Sequence, residues 1–209
     1  MTKQEKATYP NNAAKTAAKK DKMNVRDYVT TAVMIVLLVL VHMLLGSAVG
    51  MTAIGTIFVY AVDALVMGTI FYLLYTKVNK NGAPLLVGVV MALFMLMNFW
   101  VISIFLLLGG IVAEIIWHKL DKKKTKTMCI CFTVQMCFWY LGNMIPLIFL
   151  KDLYFKSLPS YEELYGATLD LIVGPLFFVG LAATVVGCII GSFIGKLLLK
   201  KHFQKAGIV

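Results

Sequence analysis

Long apolar stretches separated by short charged ones set the pattern of the chain. Residues 1–27 are polar and carry Lys3, Lys6, Lys15, Lys19, Lys20, Lys22 and Arg26. Residues 28–45 hold no charge and end at the small-residue break Gly46-Ser47-Ala48-Val49-Gly50. Residues 54–75 follow, with Asp63 inside, and close on Lys77 and Lys80 beside Asn79, Asn81 and Gly82. The third run, 84–117, is closed by Lys119, Lys122, Lys123, Lys124 and Lys126. Residues 128–150 form the fourth, a polar segment occupies 151–166, and a last run over 169–199 ends at Lys200 and Lys201.

A bilayer core about 30 Å thick takes about 20 helical residues to cross. The 34 residues of the third run would make one helix roughly 51 Å long, so the pattern predicts a hairpin turning near Met97-Asn98-Phe99, with helices over 84–97 and 100–117. The expectation is an all-α integral membrane protein: a six-transmembrane-helix bundle over 28–209 behind a basic cytoplasmic tail over 1–27. Lysine placement sets the orientation. With both termini cytoplasmic, the inner segments hold 7, 2, 5 and 4 Lys/Arg, 18 of the 20 in the chain, and only Lys151 and Lys156 fall outside. The leader and the 18-residue first run are longer than a signal peptide needs, so the first helix is expected to stay uncleaved.

Composition agrees and narrows the function. The chain is 60% hydrophobic and 14% charged, yet its net charge is +10. That much apolar surface excludes a soluble enzyme, a disordered chain and a disulfide scaffold. Because the charge sorts to one face, it marks topology and contact with anionic lipid headgroups, and no nucleic-acid partner is expected. The motifs of phosphate-binding loops, zinc proteases and serine esterases are missing, which points away from enzymatic chemistry and from a cofactor of the chain's own. Cys129, Cys131, Cys137 and Cys188 form no C-x-x-C pair and are expected to pack as apolar residues rather than bind metal.

Candidate chemistry lies in the outer half. Asp63 and Glu114 are the acids assigned to the spans. A carboxylate at mid-membrane costs about 2.5–3.5 kcal/mol and needs a partner or a role. Asp63 suits either ligand binding or a helix–helix hydrogen bond, while Glu114, four residues before His118, suits a structural pair. His42 and Met43 end the first helix; Asn98 and Trp100 mark the hairpin turn; Trp139, Tyr140 and Asn143 lie in the middle to outer half of the fifth helix. Tyr154, Phe155, Tyr161 and Tyr165 populate the outer segment, where an aromatic belt accounts well for Tyr154 and Phe155. His and Asn are not belt residues, so His42, Asn98 and Asn143 point to a pocket opening outward. Ala183, Gly187, Gly191 and Gly195 repeat every four residues along the last helix, a stripe for close packing against a helix of this chain or of another protein.

These features resemble the substrate-binding S component of energy-coupling factor (ECF) ABC transporters. The ending Gly191-Ser192-Phe193-Ile194-Gly195-Lys196, followed by Leu199-Lys200-Lys201-His202-Phe203-Gln204-Lys205-Ala206-Gly207-Ile208-Val209, is similar to the Trep_Strep type, as is Lys151-Asp152-Leu153-Tyr154-Phe155. The resemblance spans roughly residues 24–209. It implies a bacterial cytoplasmic-membrane protein that captures a micronutrient from outside. Delivery would come through docking on a transmembrane scaffold (T) subunit carried by two cytoplasmic ATPases. His42 and Met43 would suit haem as the transported ligand, and the aromatics would suit a flat vitamin-like compound equally. Docking in this family commonly uses an Ala-x-x-x-Ala pair on the first helix. Here the stretch reads Ala32-Val33-Met34-Ile35-Val36, with one small residue, and the third turn reads Met97-Asn98-Phe99-Trp100-Val101 in place of a Gly-His-x-Trp-Pro-like sequence. Two other classes remain open: a stand-alone secondary transporter or channel, and a membrane interaction or immunity protein.

Overall fold

The structure, a computed structural model, describes residues 22–203. The earlier tail lysines and the stretch from Gln204 onward, both used in the sequence reading, lie outside the described residues.

Helix α1 spans Val25–Val49 and starts at a capping box, in which the Asn24 side chain accepts from the Asp27 N–H and the Asp27 carboxylate accepts from the Asn24 N–H. It runs through Gly46 to Val49, so the expected small-residue break is the final turn of the helix, closed by Gly50. Helix α2 spans Ala53–Lys77. Helices α3 (Ala83–Met95) and α4 (Trp100–Lys119) form the expected hairpin. Helix α5 spans Thr125–Phe149. The segment read as an outer loop is instead helical: α6 (Lys151–Ser157), a short turn at Pro159–Tyr161, and α7 (Glu162–Ile172). Helix α8 spans Leu176–Leu198.

One further sequence reading is corrected here. The run 169–199 is not one helix of about 31 residues, because Gly174-Pro175 interrupts it. Proline has no N–H to continue a helix, and it starts the next one well. Asp170, inside that run, therefore sits exposed on α7 and outside the last long helix. Among the described residues five helices, α1, α2, α4, α5 and α8, are long and apolar enough to cross a membrane, while α3 has only 13 residues.

Glycine seams hold the bundle. Along α8 the small residues Gly180, Thr184, Gly187, Cys188, Gly191, Ser192 and Gly195 are buried. A Cβ on Gly187 would lie 2.6 Å from the Ala61 carbonyl oxygen, and one on Gly195 would lie 2.9 Å from Thr69 Cα. Gly191 meets the Ala64 carbonyl and faces Gly68. Partner numbers rise together along α2 and α8, so these two helices run parallel, with backbones close enough for dense van der Waals contact. The stripe assigned to partner docking is thus occupied within the chain: Gly187, Gly191 and Gly195 pack on α2, and Ala183 is half-buried beside the seam. Gly88 of α3 and Gly110 of α4 form a second crossing, where a Cβ on Gly88 would lie 2.5 Å from Gly110 Cα. Helix α1 packs along α2 and touches α3, and it leaves most of its surface open, Ala32 included.

Candidate functional site

The two ends of the bundle differ in chemistry. At the lysine-rich end, polar groups satisfy one another. Glu114 of α4 accepts from the Gly82 N–H at 2.6 Å and the Leu85 N–H at 3.2 Å, so it caps the start of α3 from a neighbouring helix, where the helix dipole favours an anion. Its pairing with His118, 3.1 Å away, agrees with the structural role expected from the sequence. Lys80 pairs with Asp27 at 2.7 Å, the Trp117 indole donates to the Lys80 carbonyl, and the Asn79 amide donates to the Lys122 carbonyl. Gln135 donates to the Pro84 carbonyl and accepts from the Tyr75 hydroxyl.

The opposite end holds a cavity of about 330 Å³. His42 and Met43 of α1 line it, with Tyr60 of α2, Asn98 of the hairpin turn, and Trp139 and Asn143 of α5. Tyr154, Tyr161 and Tyr165, from the α6–α7 cap, close it from above the bundle. Five sequence candidates therefore meet in one place: His42, Met43, Asn98, Trp139 and Asn143. Asp63 does not line the cavity but stands behind it. Its side chain is fully buried, and Oδ2 lies 2.7 Å from His42 Nδ1. The two open readings of Asp63 thus converge, since its helix–helix hydrogen bond positions a cavity residue.

That pair has specific consequences. A carboxylate on Nδ1 fixes the ring's orientation and leaves Nε2, on the opposite edge, to face a ligand. The His42 side chain is 19% exposed, and its ring lies 4.4 Å from the Trp139 ring, tilted by 51°. Asp63 Oδ1 is buried without a hydrogen-bond partner among the described residues. Such a group normally costs stability, so its presence beside a cavity marks a place where stability is not what the residue serves. The Asn143 amide donates to the Trp139 carbonyl, which leaves its carbonyl oxygen as an acceptor at the cavity. Burial pushes the Tyr154 and Tyr165 phenols above their ordinary range, so both present neutral rings.

Two candidates fall away from the cavity. Trp100 is half-exposed on the outside of the bundle against Phe99. Tyr140 is fully buried, donates to the Phe177 carbonyl at 2.8 Å and packs edge-on to Tyr60 at 5.6 Å. Tyr154, expected in an aromatic belt, is instead buried and lines the cavity. Tyr60 was missed, although its place one helical turn before Asp63 on the same face could have marked it.

His42 has the arrangement of an axial haem ligand, with Nδ1 held and Nε2 open. The cavity, however, lies at the small end of the range for ligand pockets, about 300–1,000 Å³, and among the described residues no Lys or Arg lines it to meet two propionates.

The sequence pattern that defines the Trep_Strep family, described as hypothetical bacterial integral membrane proteins, matches residues 25–205. The chain belongs to this family and is a multi-pass integral membrane protein. No curated protein and no solved structure matches it.

Proposed function

We propose that this Trep_Strep protein is the substrate-binding component of an ECF-type importer in the bacterial cytoplasmic membrane. It captures a compact, vitamin-like micronutrient from outside and passes it on by docking to a scaffold subunit carried by two ATPases. One observation carries the reading. The residues hardest to explain as membrane packing, His42, Asn98 and Asn143, converge on one cavity at the end opposite the lysines. On the positive-inside rule that end faces outward, where α3 serves as a short sixth crossing and both termini are cytoplasmic. A helical hairpin of α6 and α7 covering the cavity suits capture and release. No catalytic chemistry is assigned to the cavity, and energy is supplied by the partners. The apolar, lightly packed α1 surface around Ala32 is the face left for docking and for lipid.

The test is co-purification from native membranes. A scaffold subunit and two ATPases are expected with the full-length protein, and uptake is expected to cease in cells lacking those ATPases. Uptake that continues without them overturns the reading. Titration with haem is expected to show no Soret shift.

A further inference from the structure

We infer that the cavity selects a small aromatic organic cation, such as a quaternised nitrogen heterocycle, over neutral and anionic rings of the same shape. This rests on the cavity being the ligand site of the proposed function. Three independent observations point to positive charge in the ligand.

First, the lining is rich in aromatic rings. Trp139 and Tyr60 stand 6.3 Å apart on the bundle side, and on the cap side Tyr165 lies 5.1 Å from Tyr154 and 5.9 Å from Tyr161. Such a set of electron-rich rings attracts a cation through the ring quadrupole, most strongly where water is excluded. Second, among the described residues no Lys or Arg lines the cavity, and the His42–Asp63 pair is never positive while a single proton bridges the two. That pair is minus one with Nε2 bare and neutral with Nε2 protonated. Asp63 Oδ1, buried behind His42 with no hydrogen-bond partner among the described residues, adds negative potential that burial leaves unscreened. Third, the cap reverses the charge of the chain. Over residues 151–172 there are two lysines, Lys151 and Lys156, against Asp152, Glu162, Glu163 and Asp170, a net of −2 in a protein of net +10. None of these acids lines the cavity, but a net negative cap over it raises the local concentration of cations and repels anions.

One ring in three charge states provides the test. The full-length protein in nanodiscs is titrated with 1-methylnicotinamide, nicotinamide and nicotinate, and the quenching of tryptophan fluorescence is followed. The cation is expected to bind about tenfold or more tighter than the neutral amide, the result of roughly 1.4 kcal/mol or more of cation–π and Coulomb attraction, with nicotinate bound more weakly still. Equal binding of the three, tighter binding of nicotinate, or no binding of the cation overturns the inference. Tyr161→Leu, an exposed position whose change leaves the bundle intact, is expected to weaken the cation about threefold and to narrow the gap to nicotinamide. Asp63→Asn, which keeps a hydrogen-bonding group beside His42, is expected to narrow it further, and an unchanged gap in both variants counts against it. Mass spectrometry of small molecules carried by the protein from native cells is expected to find a fixed-charge cation, and an anion there overturns it. A bound cation with no scaffold or ATPases would leave this inference standing and remove the importer reading.

Discussion

The two ends of this bundle use polar residues in opposite ways. At the lysine-rich end nearly every polar side chain described has its bond made inside the protein: Glu114 caps α3, Gln135 bridges two helices, and Lys80 holds Asp27. At the cavity end the polar residues keep free valence, in His42 Nε2, the Asn143 carbonyl and Asp63 Oδ1. The same residue types thus serve structure where their bonds close and recognition where they stay open. The lesson is that an intramembrane acid should be judged by its count of satisfied oxygens. Glu114 has both engaged, whereas Asp63 has one.

The contrast can be broken or sharpened by substitution. Gly191→Leu acts on the α2–α8 seam that joins both ends. It is expected to cost about 3 kcal/mol or more through backbone displacement, read as loss of monodisperse protein, and unchanged elution would refute the seam. His42→Ala leaves Asp63 buried without its partner and is expected to cost about 3 kcal/mol, read as a lowered Tm. The double variant His42→Ala/Asp63→Ala is expected to recover most of that stability while ligand capture stays lost. Recovery of capture would mean the pair is only structural. At the other end, Glu114→Ala is expected to cost about 1–2 kcal/mol as a lost helix cap, with ligand affinity unchanged; a parallel loss of affinity would erase the distinction between the ends. The smallest effect belongs to Lys80→Met, a partly exposed ion pair worth about 0–1 kcal/mol, checked by its weak response of Tm to salt.

Much of the site was legible before the fold. His42, Asn98 and Asn143 stood out because neither lipid nor an interface accounts for an imidazole or an amide there. Tyr161 and Tyr165 were visible in the outer segment, and Tyr154 was assigned to the interface, since a tyrosine near a membrane surface looks the same in sequence whether it faces headgroups or a cavity. The α8 glycines announced close packing, but helical periodicity carries no address, and their partner turned out to be α2. Gly88 and Gly110 gave even less signal, as single glycines in separate apolar runs.

The sequence by itself determined the all-helical membrane character, the hairpin within the long third run and the sorting of positive charge, because these follow from hydrophobic length and from where lysines stop. It could not determine that 151–172 folds into a cap, that α8 lies parallel to α2, or that Asp63 reaches His42 from another helix. Those depend on which backbones approach closely enough for glycine seams to pair, and that is settled only when all the helices pack at once.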